Sequence, residues 1–122
     1  MASHPIVHIE IPTESRERAG DFYSQVFDWN VQQMPEMIYA TWQASGGPGG
    51  GFAPADGQMV QIGQVVAYIG TDDINGSLSK IEANGGKTVL GKTEIPGMGW
   101  FALFNDPAGN KLGLFEGNGQ GQ

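Results

Sequence analysis

The sequence predicts an α+β protein of two βαβββ modules, each burying one helix on a four-stranded sheet, with the other sheet faces curving together around a cavity. Three observations carry that prediction. Apolar residues alternate near the start of the chain and then recur at helical spacing. The order strand, helix, three strands comes twice. The two copies also overlay: with a shift of 59, Val7, His8, Ile9 and Glu10 fall on Val66, Ala67, Tyr68 and Ile69, and with a shift of 62, Tyr39–Trp42 falls on Phe101–Phe104 and Gly51 on Gly113.

In His4–Ile11, Val7, Ile9 and Ile11 fall on one side and Ile6, His8 and Glu10 on the other, a strand of period two that Pro12 ends. Thr13 or Ser15 caps the next helix, and Glu14 and Glu17 suit its first turn. Ala19, Phe22, Tyr23, Val26 and Phe27 make one apolar stripe, which predicts a helix from about Ser15 to Phe27 with Phe22, Tyr23 and Phe27 in the core. Trp29–Met34 and Met37–Ala44 read as strands separated at Pro35. The run GGPGGG (46–51) reads as a turn or loop, because glycine and proline do not favour regular structure. Gly51–Pro54 is a short strand candidate, and residues 55–64 form a polar connector.

Gln64–Gly70 opens the second copy as a strand. Asp72 or Asp73 caps a helix with Ile74, Leu78 and Ile81 on one stripe, and Gly85-Gly86 stops it. Lys87–Leu90, Trp100–Asn105 and Lys111–Glu116 are strands, the last two joined by a tight turn at Asp106–Asn110. The expected organisation is one domain over 4–117, with modules at about 4–54 and 65–117, and a flexible tail at 118–122.

The chain has 122 residues and no cysteine, which excludes disulfides, thiolate metal sites and cysteine nucleophiles. No apolar run approaches the roughly 20 residues a bilayer needs, and the start lacks the pattern of a secretory signal. The expected compartment is cytoplasmic. A net charge of −7, from 13 acidic and 6 basic residues, argues against nucleic acid and anionic membranes as partners.

His8 and Glu10 are the candidate catalytic and ligand-binding pair. They lie two apart on one strand face, roughly 7 Å between Cα atoms. Three roles are open to His8: an imidazole hydrogen-bonded within a partly polar cavity, a ligand-binding or acid–base group coupled to Glu10, or a metal ligand. For Glu10 the plainer role is a solvated residue near the strand end. The other histidine, His4, is roughly 13 Å from His8 along the strand, too far to share an ion. Among Tyr39, Trp42, Phe52, Trp100, Phe101 and Phe104, some must face the helices and some the cavity. Trp42, Phe52 and Trp100 are the candidates to bind a flat small molecule there. The GGPGGGF segment (46–52) is a candidate flap, and it is no phosphate cradle, since no Lys-Ser/Thr follows.

Three stretches resemble a known family. HIEIPTESRERAGDFYSQVFDW (8–29), with Phe22, Tyr23, Phe27 and Trp29, looks like the opening strand and helix of the vicinal oxygen chelate superfamily, which includes glyoxalases, bleomycin-resistance proteins and extradiol dioxygenases. FNDPAGNKLGLFE (104–116), with Asp106, Pro107, Gly109 and Asn110, looks like its closing turn and strand, and TDDINGSLSKIEANGGK (71–87) like its second helix. The resemblance implies a glyoxalase-like fold and a homodimer. It also implies metal ligands on the first and last strand of each half in metal-dependent members. Those slots are His8, Gly51, Ala67 and Gly113 here, and only His8 suits a metal; Glu116, three residues past Gly113, faces away. The leading expectation is therefore a metal-independent member without cofactor that binds a small organic molecule. A lyase, isomerase or dioxygenase with His8 as first ligand to Zn, Ni, Mn or Fe is the competing reading. A binding or resistance protein without turnover is the third.

Overall fold

A computed structural model describes residues 4–56 and 61–118. The elements run β1 (Ile6–Thr13), α1 (Arg16–Phe27), β2 (Asn30–Met34), β3 (Tyr39–Gln43), β4 (Gly49–Pro54), β5 (Val66–Gly70), α2 (Ile74–Ala83), β6 (Lys87–Ile95), β7 (Gly99–Asn105) and β8 (Lys111–Gly117). This is the repeated βαβββ order of the α+β class. The chain divides into two compact units, one spanning residues 7–66 and the other 67–118 together with 4–6. Residues 4–6 join the second unit because Gly70 N–H donates to the Pro5 carbonyl at 2.8 Å and the His4 ring nitrogen bonds the Gly70 carbonyl at 3.2 Å. The expected tail lies, from residue 119 on, outside the described residues.

In the first unit the strand order is β2-β3-β4-β1, with β1 and β4 parallel and the other neighbours antiparallel. The Ser15 hydroxyl caps α1 by accepting from Arg18 N–H at 3.2 Å, and Asp28 ends the helix in a left-handed conformation. Ile9 and Ile11 of β1 pack with Ala40, Trp42 and Phe52 against Ala19 and Tyr23 of the helix. Tyr23 stacks on Trp29 at 4.8 Å and Trp29 on Trp42 at 4.0 Å. The expected stripe is narrower than its sequence suggests: Phe22 and Phe27 are 56% and 57% exposed. Gly20, against the side chain of Val31, brings the helix close to β2, and the inward line passes through Gly20 and Tyr23. Phe22 and Val26 then fall on its outer shoulder, and Phe27 covers the end of the Tyr23–Trp29 stack.

The glycine run is a second departure. Gly49–Phe52 is not a flap but the start of β4, paired with β1 on one side and, from Gly50, with β3 on the other.

The second unit has the order β5-β8-β7-β6, with β5 and β8 parallel. Asp73 caps α2, accepting from Gly76 N–H at 3.0 Å, and Ile74 and Leu78 pack on Ala102, Phe104 and Leu114. Glu116 points to the helix side, as its position relative to Gly113 predicts: its Oε1 accepts Ile74 N–H at 3.0 Å and lies 3.5 Å from Lys92 Nζ. The Asp106–Asn110 turn is built by the aspartate itself. Its Oδ1 accepts the N–H groups of Ala108 and Asn110, its Oδ2 accepts the Asn110 side-chain amide, and Gly109 supplies the left-handed residue. The Asn110 side chain, followed by its backbone N–H, holds the Asp106 carboxyl below its ordinary value.

Candidate functional site

Because Ile9 and Ile11 face the helix, the pleat turns His8 and Glu10 to the opposite face of the first sheet. There they meet Tyr39 of β3. His8 Nε2 lies 2.9 Å from Glu10 Oε1 and 3.0 Å from Tyr39 Oη, and Tyr39 Oη lies 3.0 Å from the same Glu10 oxygen. The three polar atoms form a closed triangle. Glu10 is not solvated; it is only 9% exposed.

Strand β4 lies between β1 and β3, so Tyr39 must cross it to reach Glu10. Gly51 permits the crossing. It pairs with Glu10 on β1 and Thr41 on β3, and a Cβ placed on it would sit 1.7 Å from Tyr39 Oη and 2.2 Å from Cζ. A glycine inside a strand often marks such a close approach. Gly49, opposite His8, likewise leaves no side chain there.

The protons can be assigned by donor type. With Nε2 protonated, His8 donates to Glu10 Oε1, and the Tyr39 hydroxyl donates to the same oxygen. Charge-assisted bonds of this kind are the stronger ones. The second oxygen, Glu10 Oε2, is buried and has no hydrogen-bond partner among the described residues. A buried acceptor left without a donor costs on the order of 1–3 kcal/mol, so such an atom calls for an explanation. The arrangement holds one carboxylate oxygen in place and leaves the other with free lone pairs.

The structure packs the expected aromatic binders into the helix-side core of their own units. Trp42 and Phe52 are 5% and 0% exposed in the helix-side core, with Trp42 Nε1–H donating to the Gly51 carbonyl at 3.3 Å. The pleat decides this: Thr41 pairs with Gly51 on the His8 face, so Trp42 and Phe52 take the other. Trp100 packs against the helix-side core of the second module, with the Lys92 ammonium 4.7 Å above its ring. Tyr39 is the residue that sequence reading placed only among the aromatics. Its signal was the glycine at 51.

The strand register moves one of the four positions that the resemblance implies. Glu10 pairs with Gly51 and Tyr68 with Gly113, so the residue matching His8 is Val66, one position before the Ala67 that the sequence overlay gave. Ala67 shares its facing with Ile69, which packs on the helix side. Gly113 is covered by the Tyr68 ring, as Gly51 is by that of Tyr39. Among the described residues no three His, Cys, Asp or Glu side chains cluster to hold an ion.

A model of the Glyoxalase/Bleomycin resistance protein/Dioxygenase superfamily matches residues 5–114. The chain belongs to that superfamily. A glyoxylase-like domain-containing protein of Didymella fabae is 31% identical over 113 residues, covering 84% of this chain and 85% of the relative. Two solved structures share the glyoxalase superfamily fold of this chain. A hypothetical protein from Bacillus halodurans C-125 superposes with a TM-score of 0.76 at 14% identity, covering 99% of both chains. Methylmalonyl-CoA epimerase from Mycobacterium tuberculosis does so with a TM-score of 0.70 at 10% identity, covering 92% of this chain and 87% of its own. Within this glyoxalase superfamily member, His8, Glu10 and Tyr39 form a polar triangle on the sheet face opposite the first helix.

Proposed function

We propose that this glyoxalase superfamily protein binds a small organic molecule against His8, Glu10 and Tyr39 without a metal, and that any turnover there is proton transfer. The observation that carries the reading is the split of the Glu10 carboxylate: Oε1 accepts two hydrogen bonds while Oε2 is buried with none from the described residues. Such a group can take a proton from an acidic C–H or O–H of the bound molecule. The X–H bond breaks, its electron pair stays on X, and the proton moves to Oε2. His8 and Tyr39 hold the carboxylate in place, so little reorganisation accompanies the step. The chemistry is then of lyase or isomerase type, with Glu10 as the base.

Two measurements test this. Metal analysis of protein purified without chelator should find no stoichiometric ion in wild type or in His8→Ala. Stoichiometric Zn, Ni, Mn or Fe that disappears in His8→Ala would overturn the metal-free reading in favour of His8 as a ligand. A screen of carbonyl and hydroxy compounds in deuterated water reads solvent deuterium incorporated at carbon. Incorporation that persists undiminished in Glu10→Gln removes the base role.

A further inference from the structure

We infer that the molecule held against His8, Glu10 and Tyr39 is uncharged or cationic and offers an N–H or O–H donor to Glu10 Oε2; carboxylates and phosphates are disfavoured there. This rests on the reading above of the triangle as a binding site. The pairing of β2, β3 and β4 fixes which side chains share the face of Glu10. Thr41 pairs with Gly51 and Gln32 with Thr41, so Asn30, Gln32 and Met34 of β2 and Gln43 of β3 lie on that face with them. All are uncharged. The carboxamides and hydroxyl can both donate and accept, so they suit neutral polar groups. No lysine or arginine of β1–β4 joins them, because those strands carry none.

The described nitrogen donors that touch Glu10 or Tyr39 are already engaged. The His8 Nε2 is held by Glu10 and Tyr39. Arg16 donates through Nη1 to the Tyr39 carbonyl at 3.3 Å, and its Nη2 lies 3.9 Å from Glu17. Among the described residues of β1–β4 an anionic ligand would therefore meet the buried Glu10 carboxylate without a free counter-ion, and two like charges at close range in a low-dielectric setting repel. A donor ligand instead satisfies the oxygen that the described residues leave unpaired.

The test uses three probes on one ring that differ in charge: 3-hydroxybenzyl alcohol, 3-hydroxybenzylamine and 3-hydroxybenzoate. Each is titrated into the full chain, and binding is followed by the NMR amide shifts of Gly51 and Tyr39. The alcohol and the amine should bind at least about tenfold more tightly than the benzoate. Glu10→Gln, nearly isosteric, should erase that preference. Benzoate binding as tight as the alcohol, with shifts at the same amides, would overturn the charge class and leave the site standing. No shift at either amide with any probe would overturn the site itself. Discrimination unchanged in Glu10→Gln would remove Oε2 as its source. The wild-type comparison decides the charge class even if the variant fails to fold.

Discussion

Replacing Gly51 by alanine is a one-carbon change that isolates the crossing of Tyr39 over β4. The added Cβ would lie 1.7 Å from Tyr39 Oη, 2.2 Å from Cζ and 2.8 Å from Cε1, so the ring has to leave. With it go the hydroxyl's bonds to Glu10 and His8, both 3.0 Å. A hydrogen bond to a charged group contributes about 1.5–3 kcal/mol, and a neutral one about 1 kcal/mol. The backbone offers partial compensation. Gly51 is not among the positive-φ glycines, and alanine in a strand interior is about 0.5–1 kcal/mol better than glycine. The net expectation is a loss of about 2–3 kcal/mol, read from urea unfolding midpoints at constant slope. In a Tyr39→Ala background the obstacle is gone, so Gly51→Ala should there be neutral or slightly stabilising. The two changes should thus couple by about 2 kcal/mol or more in a double-mutant cycle. A Gly51→Ala protein within about 0.5 kcal/mol of wild type, or an equal loss in both backgrounds, would refute the role given to this glycine.

Ile38 sits in the left-handed region at φ 50°, ψ 55°, with a β-branched side chain that is 61% exposed. Ile38→Asn keeps its backbone bond to Pro35 and should stabilise by about 1 kcal/mol in the same urea assay; a lower midpoint would count against strain there. Glu116→Gln weakens the acceptor for Ile74 N–H and removes the ion pair with Lys92, which should cost about 1–2 kcal/mol. A difference between wild type and Glu116→Gln that vanishes at high salt would instead mark the pair as an ordinary screened surface contact. Asp106 has a folded-state value depressed below 3.8, so its contribution is present above that value and lost as pH falls through the lower folded one. Asp106→Ala should therefore be less stable than wild type at neutral pH, with the difference in melting temperature shrinking below about pH 4. A difference constant from pH 7 to pH 2 would assign the effect to the turn's shape alone.

Local signals carried much of the fold. Ser15 and Asp73 mark helix starts because their side chains bond the backbone three residues on, a contact written in adjacent residues. Period two placed His8 with Glu10 and opposite Ile9. The misses share a cause in pairing between distant strands. Gly49–Gly51 reads as loop from propensity, yet hydrogen-bonding partners on both sides hold it as a strand, and tertiary context overrides local preference. The strand expected at Lys87–Leu90 likewise continues to Ile95, across irregular pairing between Thr88 and Thr93. Trp42 and Phe52 were misfaced because nothing local to them says which side of β4 the helix covers. Tyr39 joins residues 29 and 31 positions earlier, which no window along the chain contains.

The two glycines at the closing-strand positions change meaning once the rings above them are seen. By the family resemblance, Gly51 and Gly113 are ligand positions that hold nothing. In the structure each is the floor beneath a tyrosine: Tyr39 over Gly51 and Tyr68 over Gly113, with no room for a Cβ at either. A residue large enough to ligate at position 51 would therefore have to displace Tyr39 and open the His8–Glu10–Tyr39 triangle. A metal ligand there and the phenol above it exclude each other. The phenol hydroxyl lies where that ligand's side chain would begin, and it brings a proton to Glu10 at the point where a ligand would have brought a lone pair to an ion. Glycine at 51 is thus a requirement of the proton-bearing arrangement, and its substitution reports on that arrangement directly.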